Sequence, residues 1–411
     1  MTPTSLEKSL IRVLLLEGVD ESAEEAFRQD GYTDLEIHQK SLPENRLIES
    51  ISRAHLIGIR SNTHLTRSVL EHAGRLIGIG CYCIGTNQVD LDAAQELGIP
   101  VFNAPFSNTR SVAELVIAET ILLMRGVPWR NAATHRGEWV KTAHGSHEVR
   151  GKTLGIVGYG HIGTQVGVLA EGLGMDVVFH DIQHKLALGN ARQLPSLEAV
   201  LGQADVVTLH VPETPETKNL IGAAELALMK PGAALVNAAR GSVVDIPALV
   251  EALQSKHIGS AALDVFPQEP KAGEEFYSPL RQFENVILTP HIGGSTEEAQ
   301  RSIGREVAVK MVRYSNTGST LTAVNFPEVS LPEQRGRHRL MHIHRNQPGV
   351  MSAVNTVFAS SGINICGQYL ETNARIGYVV IDVDSDERAE SFQLKRALEA
   401  IPGTLKTRIL Y

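Results

Sequence analysis

Short, continuously apolar runs alternate with amphipathic stretches along the first hundred residues. Residues 11–16, 56–60, 76–80 and 100–103 read as buried strands, and residues 21–30 and 89–97 place apolar side chains on one helical face. Alternation of this kind predicts a parallel sheet with helices on both faces. At 111–114, Ser111-Val112-Ala113-Glu114 has the spacing of a capping box, and the apolar stretch after it predicts a helix to about Arg125 that crosses into a second domain. A second series of buried strands follows at 153–157, 176–180, 206–210, 233–237, 260–265 and 285–289. The period becomes helical again over 297–314, which predicts a return to the first domain.

Residues 320–336 lose regular patterning and contain Pro327, Pro332 and Gly336, as expected of a linker. Beyond it the pattern reads strand 339–344, helix 349–361, strand 363–371, strand 376–383, helix 387–401, strand 404–410. That βαββαβ order predicts a ferredoxin-like unit. The expected organisation is α/β: a Rossmann-type dinucleotide domain (108–294) inserted in a flavodoxin-like substrate domain (1–107 and 295–336), then the ferredoxin-like unit (337–411).

Composition narrows the class. A chain of 411 residues is too long for one compact core, and 43% hydrophobic with 20% charged residues is ordinary for a folded protein. The formal net charge of −8 and the lack of a long Lys/Arg run give no footprint for nucleic acid. The apolar run at 13–16 is too short for a signal-peptide core, and the stretch 115–124 is interrupted by Glu119, so it reads as a buried helix and not a membrane span. Cys81 and Cys83 share one face of an extended segment and read as reduced thiols, since structural zinc needs four ligands. No metal and a cytoplasmic location are expected.

The chemistry begins at Gly158-Tyr159-Gly160-His161-Ile162-Gly163, a G-x-G-x-x-G turn between strand 153–157 and an apolar helix. The first glycine permits the tight turn, the second lets the backbone approach a pyrophosphate, and the third lets helix and strand pack closely. Asp181 follows the next strand, 18 residues after Gly163, where a carboxylate grips ribose hydroxyls and repels a 2′-phosphate; NAD is therefore expected over NADP. Beyond three later strands come Arg240, Glu269 and His291. In an open parallel sheet those ends form the ligand rim. A guanidinium suits a substrate carboxylate, an imidazole can exchange the hydroxyl proton, and a carboxylate can fix the imidazole's tautomer.

The segments GKTLGIVGYGHIGTQV, LHVPETPETKNLI, MKPGAALVNAARGSVVD, AALDVFPQEP and LTPHIGGST resemble the signature blocks of the D-2-hydroxyacid dehydrogenase family over roughly residues 10–325. The resemblance implies the roles just argued for Arg240, Glu269 and His291. It also places Ala238, Ala239, Arg240, Asp264, His291, Ile292, Gly293 and Gly294 with the cofactor-binding residues. HLIGIRSNTHLT, IGCYCIGTNQVDLDAA, GIPVFNAPFSNTRSVAELVIAE and VNFPEVSLP are similar to a bacterial branch of the family that oxidises 3-phosphoglycerate to 3-phosphohydroxypyruvate. That branch implies phosphate-binding roles for Arg60, Asn62 and Lys141. Its members often read Arg-Ser-Arg-Thr where this chain reads Arg60-Ser61-Asn62-Thr63, so phosphate is met here by one cation fewer. Another 2-hydroxy acid, such as 2-hydroxyglutarate, is the alternative substrate. A non-enzymatic NAD-sensing regulator is the alternative class.

The C-terminal unit resembles an ACT domain through His342-Ile343-His344-Arg345-Asn346-Gln347-Pro348-Gly349-Val350 and Ser361-Gly362-Ile363-Asn364-Ile365. The resemblance implies L-serine as effector at His344, Asn346 and Asn364 across a subunit interface, and with it a homotetramer. Gly336 alone, between Arg335 and Arg337, stands where family hinges can carry paired glycines.

Overall fold

The computed structural model describes residues 7–270, 273–331, 338–384 and 388–410; Pro332, Arg335, Gly336 and Arg337, on which the hinge reading rests, lie outside them. The chain divides into two compact units, Met1–Ser107 with Gln300–Tyr411, and Asn108–Ala299.

In the first unit, β1 (Val13–Leu15), β2 (Leu35–Ile37), β3 (Leu56–Ile59), β4 (Gly78–Cys81) and β5 (Val101–Asn103) form a parallel sheet in the order β2-β1-β3-β4-β5. This is the flavodoxin-like order. Four strands lie where the apolar runs predict them. The edge strand β2 was not legible: its three residues are only half-buried and carry Glu36 at the centre. β3 stops at Ile59, so Arg60 is the first residue beyond the sheet.

In the second unit, β6 (Thr153–Val157), β7 (Asp176–His180), β8 (Arg192–Gln193), β9 (Val206–Leu209), β10 (Ala233–Asn237), β11 (Ile258–Leu263) and β12 (Val286–Leu288) are parallel in the order β12-β11-β10-β9-β6-β7-β8. The order reverses beside β6, which is the switch point of a Rossmann sheet. The helix Thr109–Arg125 precedes this sheet, and Gly126 ends it in a left-handed conformation, φ 63°. Its start differs from the expected capping box. Asn108 is the N-cap, Ser111 hydrogen-bonds the Thr296 hydroxyl at 2.8 Å, and Glu114 pairs with Arg110 at 2.6 Å. The side chains of the S-x-x-E signature found other partners, and the helix starts three residues earlier, nearly a full turn.

The long helix Glu297–Thr317 returns to the first unit. The segment expected as a linker lacks strands and helices from Thr320 to Leu331, and it is packed against its surroundings. Thr320, Phe326, Val329 and Leu331 are buried, and Asn325 accepts the Val101 amide at 2.8 Å. Proline and polar residues concealed that burial.

The C-terminal unit is the expected βαββαβ. β13 (His338–Arg345), β14 (Asn364–Thr372), β15 (Ile376–Asp384) and β16 (Thr404–Leu410) form an antiparallel sheet in the order β14-β15-β13-β16, with helices Val350–Ser361 and Arg388–Glu399. One hydrophobic core joins it to the first sheet through Ile303, Val307, Met311 and Tyr314 of the long helix and Met341, Ile343 and Tyr378 of the small sheet. The polar seam is equally specific. Arg339, 1% exposed, donates to both oxygens of Asp382 at 2.6 and 2.9 Å and to the Thr317 carbonyl at 2.9 Å. Tyr378 donates to the Gly318 carbonyl.

A buried pair is costly to break, because the surviving charge stays out of water. Asp382→Asn should therefore destabilise the chain by roughly 3–5 kcal/mol in urea unfolding. A loss below about 1 kcal/mol would show that the pair does not anchor the small sheet.

Candidate active site

The site grows from the loops after β10, β11 and β12. Buried Asn237, the last residue of β10, turns its side chain onto the following loop: it accepts the Ala239 amide at 3.1 Å and donates to the Arg240 carbonyl at 3.0 Å. Arg240 is half-buried, and its Nη1 donates to the Ala239 carbonyl at 2.7 Å. The next residue must be glycine. A Cβ on Gly241 would overlap the backbone of Phe266 and Pro267, so the arginine loop and the glutamate loop touch main chain to main chain. That contact sets Glu269 near Arg240. Sequence reading marked neither Asn237 nor Gly241; the run Asn-Ala-Ala-Arg-Gly directly after a strand is the signal that could have found them.

Glu269 uses both oxygens. Oε1 accepts the Phe266 amide at 3.3 Å, and Oε2 meets His291 Nδ1 at 2.9 Å. Burial alone would raise the Glu269 pKa, but the bond to His291, that group's charge, the Phe266 amide and nearby Arg240 together lower it. His291 moves the other way: its bond to Glu269 holds its pKa above the ordinary imidazole value, against partial burial. With Nδ1–H directed to the carboxylate, Nε2 is the atom left to exchange a proton with substrate.

His291 has φ 53°, a left-handed backbone uncommon for a residue with a side chain. Asp264 holds it there. This carboxylate is 1% exposed and accepts the Thr289 hydroxyl at 2.7 Å, the Ile292 amide at 2.8 Å and the Gly293 amide at 2.7 Å. Asp264 therefore braces the histidine loop from below. Gly294 packs against Asn108, where a Cβ would clash.

The glycine loop fits a dinucleotide. Gly158 has φ 91°, and a Cβ there would strike the His210 carbonyl; one on Gly163 would strike the Gly158 carbonyl. A Cβ on Gly160 would meet nothing within 4 Å, so this face of the loop is open to a pyrophosphate. Gly160 is the N-cap of the helix His161–Gly172, which begins with His161 and Ile162, so the positive end of the helix dipole lies at this loop. Asp181 stands just past β7 and accepts the Tyr159 amide at 2.9 Å and the Gln183 amide at 2.9 Å, which leaves each oxygen a further lone pair for ribose.

Of the residues expected to bind phosphate, Arg60 and Asn62 belong to the first unit and exposed Lys141 to the second. The Arg60 loop is organised by a residue the sequence did not signal. Glu17, 7% exposed and at φ 66°, accepts the amides of Arg60 at 3.2 Å, Asn62 at 2.8 Å and Thr63 at 2.8 Å, and Asn62 Nδ2 at 3.1 Å. Asn62 thus leans on Glu17 and keeps one amide hydrogen and its oxygen for other partners. In the small sheet, His344 is buried and stacks on His342 with ring centroids 5.2 Å apart, Asn346 donates to the Asn373 carbonyl at 2.7 Å, and Asn364 opens β14 exposed. The cysteines Cys81, Cys83 and Cys366 are free thiols. Among the described residues no group of three His, Cys, Asp or Glu could hold a metal ion, and no helix is long and apolar enough to cross a membrane.

A Rossmann sheet with this glycine loop, a carboxylate at the next strand end and an Arg–Glu–His rim defines an NAD-dependent 2-hydroxyacid dehydrogenase. Residues 117–293 match the D-isomer specific 2-hydroxyacid dehydrogenase NAD-binding domain, and residues 340–406 match the AHAS small subunit-like ACT domain. The chain is 61% identical to D-3-phosphoglycerate dehydrogenase of Escherichia coli strain K12, over the whole of both chains. It is 58% identical to that of Haemophilus influenzae over 99% of each. Among solved structures, D-2-hydroxyisocaproate dehydrogenase superposes with a TM-score of 0.69 at 26% identity, covering 77% of this chain and all of that one. D-lactate dehydrogenase from Aquifex aeolicus, complexed with NAD and lactic acid, gives 0.65 at 29% over 77% and 100%. The chain belongs to the D-3-phosphoglycerate dehydrogenases within the D-2-hydroxyacid dehydrogenase family.

The Glu269–His291 bond makes a signed prediction. Reduction of a 2-oxo acid needs protonated His291, so its rate is present at low pH and lost as pH rises through the imidazole pKa. Glu269→Gln removes the charge that holds this pKa up, and the falling limb of kcat/KM for reduction should move to lower pH by on the order of one unit. An unmoved limb would show that Glu269 does not set the charge of His291.

Proposed function

We propose that this chain oxidises 3-phosphoglycerate to 3-phosphohydroxypyruvate with NAD, the entry step of L-serine biosynthesis. The observation that carries it is the Glu269–His291 pair, bonded at 2.9 Å, on the rim that also bears Arg240 and the glycine loop. Arg240 binds the substrate carboxylate with its planar fork. His291 Nε2 takes the proton of the C2 hydroxyl, and the imidazolium formed is held by Glu269. Gly158–Gly163 and Asp181 would hold NAD, which when bound would accept the C2 hydride. In reduction the same imidazolium returns the proton. Arg60, Asn62 and Lys141 hold the substrate phosphate.

L-Serine is the effector of the ACT unit, held by His344, Asn346 and Asn364. The edge strand β14, paired only with β15 among the described strands and exposing Tyr369 and Leu370, supports pairing between subunits and a homotetramer. The enzyme works in the cytoplasm. A second reading, action on an unphosphorylated acid such as 2-hydroxyglutarate, draws on Asn62, which carries no charge and is partly engaged by Glu17.

A substrate panel with NADH tests both readings. 3-Phosphohydroxypyruvate should give the highest kcat/KM, well above 2-oxoglutarate, with loss of rate at millimolar L-serine. His291→Ala should lower the rate by about 10²–10⁴-fold. A higher kcat/KM for 2-oxoglutarate would move the assignment to the second reading. Equal background rates for wild type and His291→Ala would leave a non-enzymatic NAD-sensing regulator.

A further inference from the structure

Glu119 interrupts the apolar stretch of the helix Thr109–Arg125. It lies on the buried face of that helix, in register with Val112, Val116, Thr120 and Leu123, where a leucine would pack without penalty. The side chain is 1% exposed, and neither carboxyl oxygen has a hydrogen-bond partner. An ionised carboxylate so placed is strongly disfavoured. The same helix underlies the histidine loop: Val112 and Leu115 lie against Gly293, and Glu119 continues this stripe one turn further. The charged group that faces it is Asp264, the carboxylate that holds Thr289, Ile292 and Gly293 around His291.

We propose that Glu119 is a positioning residue that keeps a neutral carboxyl group under Asp264, and that its ionisation in alkaline solution loosens the histidine loop and releases the dinucleotide. The proposal rests on the NAD site described above and not on the identity of the hydroxy acid. Two nearby carboxylates repel; Asp264 accepts three hydrogen bonds, whereas Glu119 accepts none. Burial first, and the charge of Asp264 second, push the Glu119 pKa up to about 8. The sign follows from the neutral form being the competent one. Dinucleotide affinity is complete below that pH and falls above it. His291, held above the ordinary imidazole value by Glu269, and Lys406, lowered to about 8 by burial, also titrate in this range, so comparison with the Glu119→Gln variant is what assigns the transition.

The test is NADH binding by fluorescence, without any hydroxy acid, from pH 6.5 to 9.5. Wild type should lose roughly tenfold in affinity across the upper part of that range, one decade per pH unit of linked ionisation. Glu119→Gln, neutral and of the same shape, should match wild type at pH 7 and stay flat to pH 9.5. A parallel fall in the variant, or weak binding by folded variant at pH 7, overturns the proposal. Infrared spectra of wild type decide the matter if the variant does not fold. A protonated-carboxyl C=O band that disappears in step with NADH affinity supports the proposal, and its absence at pH 7 refutes it. An inactive substrate panel with this NADH behaviour intact would sink the proposed substrate and leave Glu119's role standing.

Discussion

The chemistry of this chain depends on one buried carboxylate. Asp264 gathers a hydroxyl and two main-chain amides from the loop after β12. Those bonds hold His291 in a left-handed conformation that an unrestrained histidine rarely keeps. They aim its Nδ1 at Glu269 and free the other nitrogen. Glu269 in turn reaches His291 because Gly241 lets two loops meet at van der Waals distance of bare backbone. The visible set of arginine, glutamate and histidine is therefore the outer layer of an arrangement made by an aspartate, an asparagine and a glycine.

Much of the fold was legible because burial on both faces makes strands apolar throughout. β1, β3, β4, β5 and the main strands of the second sheet announce themselves in this way. The half-exposed β2 and the two-residue β8 do not. The S-x-x-E sequence at Ser111 misled for a related reason. Capping signatures describe local chemistry, and here Thr296 and Arg110 offered those side chains better partners. The segment Thr320–Leu331 shows the opposite failure, since polar and proline-rich composition concealed a segment in which buried Thr320 bonds the Pro327 carbonyl and the Val329 amide and Asn325 accepts the Val101 amide.

The site was legible in its chemistry and hidden in its support. Residue types with strong roles, such as Gly158–Gly163, Asp181, Arg240, Glu269 and His291, stand at strand ends and can be read from a string. Glu17 and Gly241 act through the main chain of residues far away in sequence, and Asn237 through the two residues that follow its neighbour; only the run Asn-Ala-Ala-Arg-Gly hints at the latter two. Glu119 stands between these cases: its charge was visible as a flaw in an apolar helix, but its meaning required knowing that Asp264 faces it.

The central claim is that Glu269 fixes the tautomer and raises the basicity of His291 within a loop braced by Asp264. Nitrogen-15 NMR of histidine-labelled protein reads this directly. The account predicts that the His291 ring keeps its proton on Nδ1 at high pH, that Nε2 alone titrates, and that it does so above the usual imidazole pKa. A neutral ring protonated on Nε2, or titration at or below the ordinary value, would contradict it.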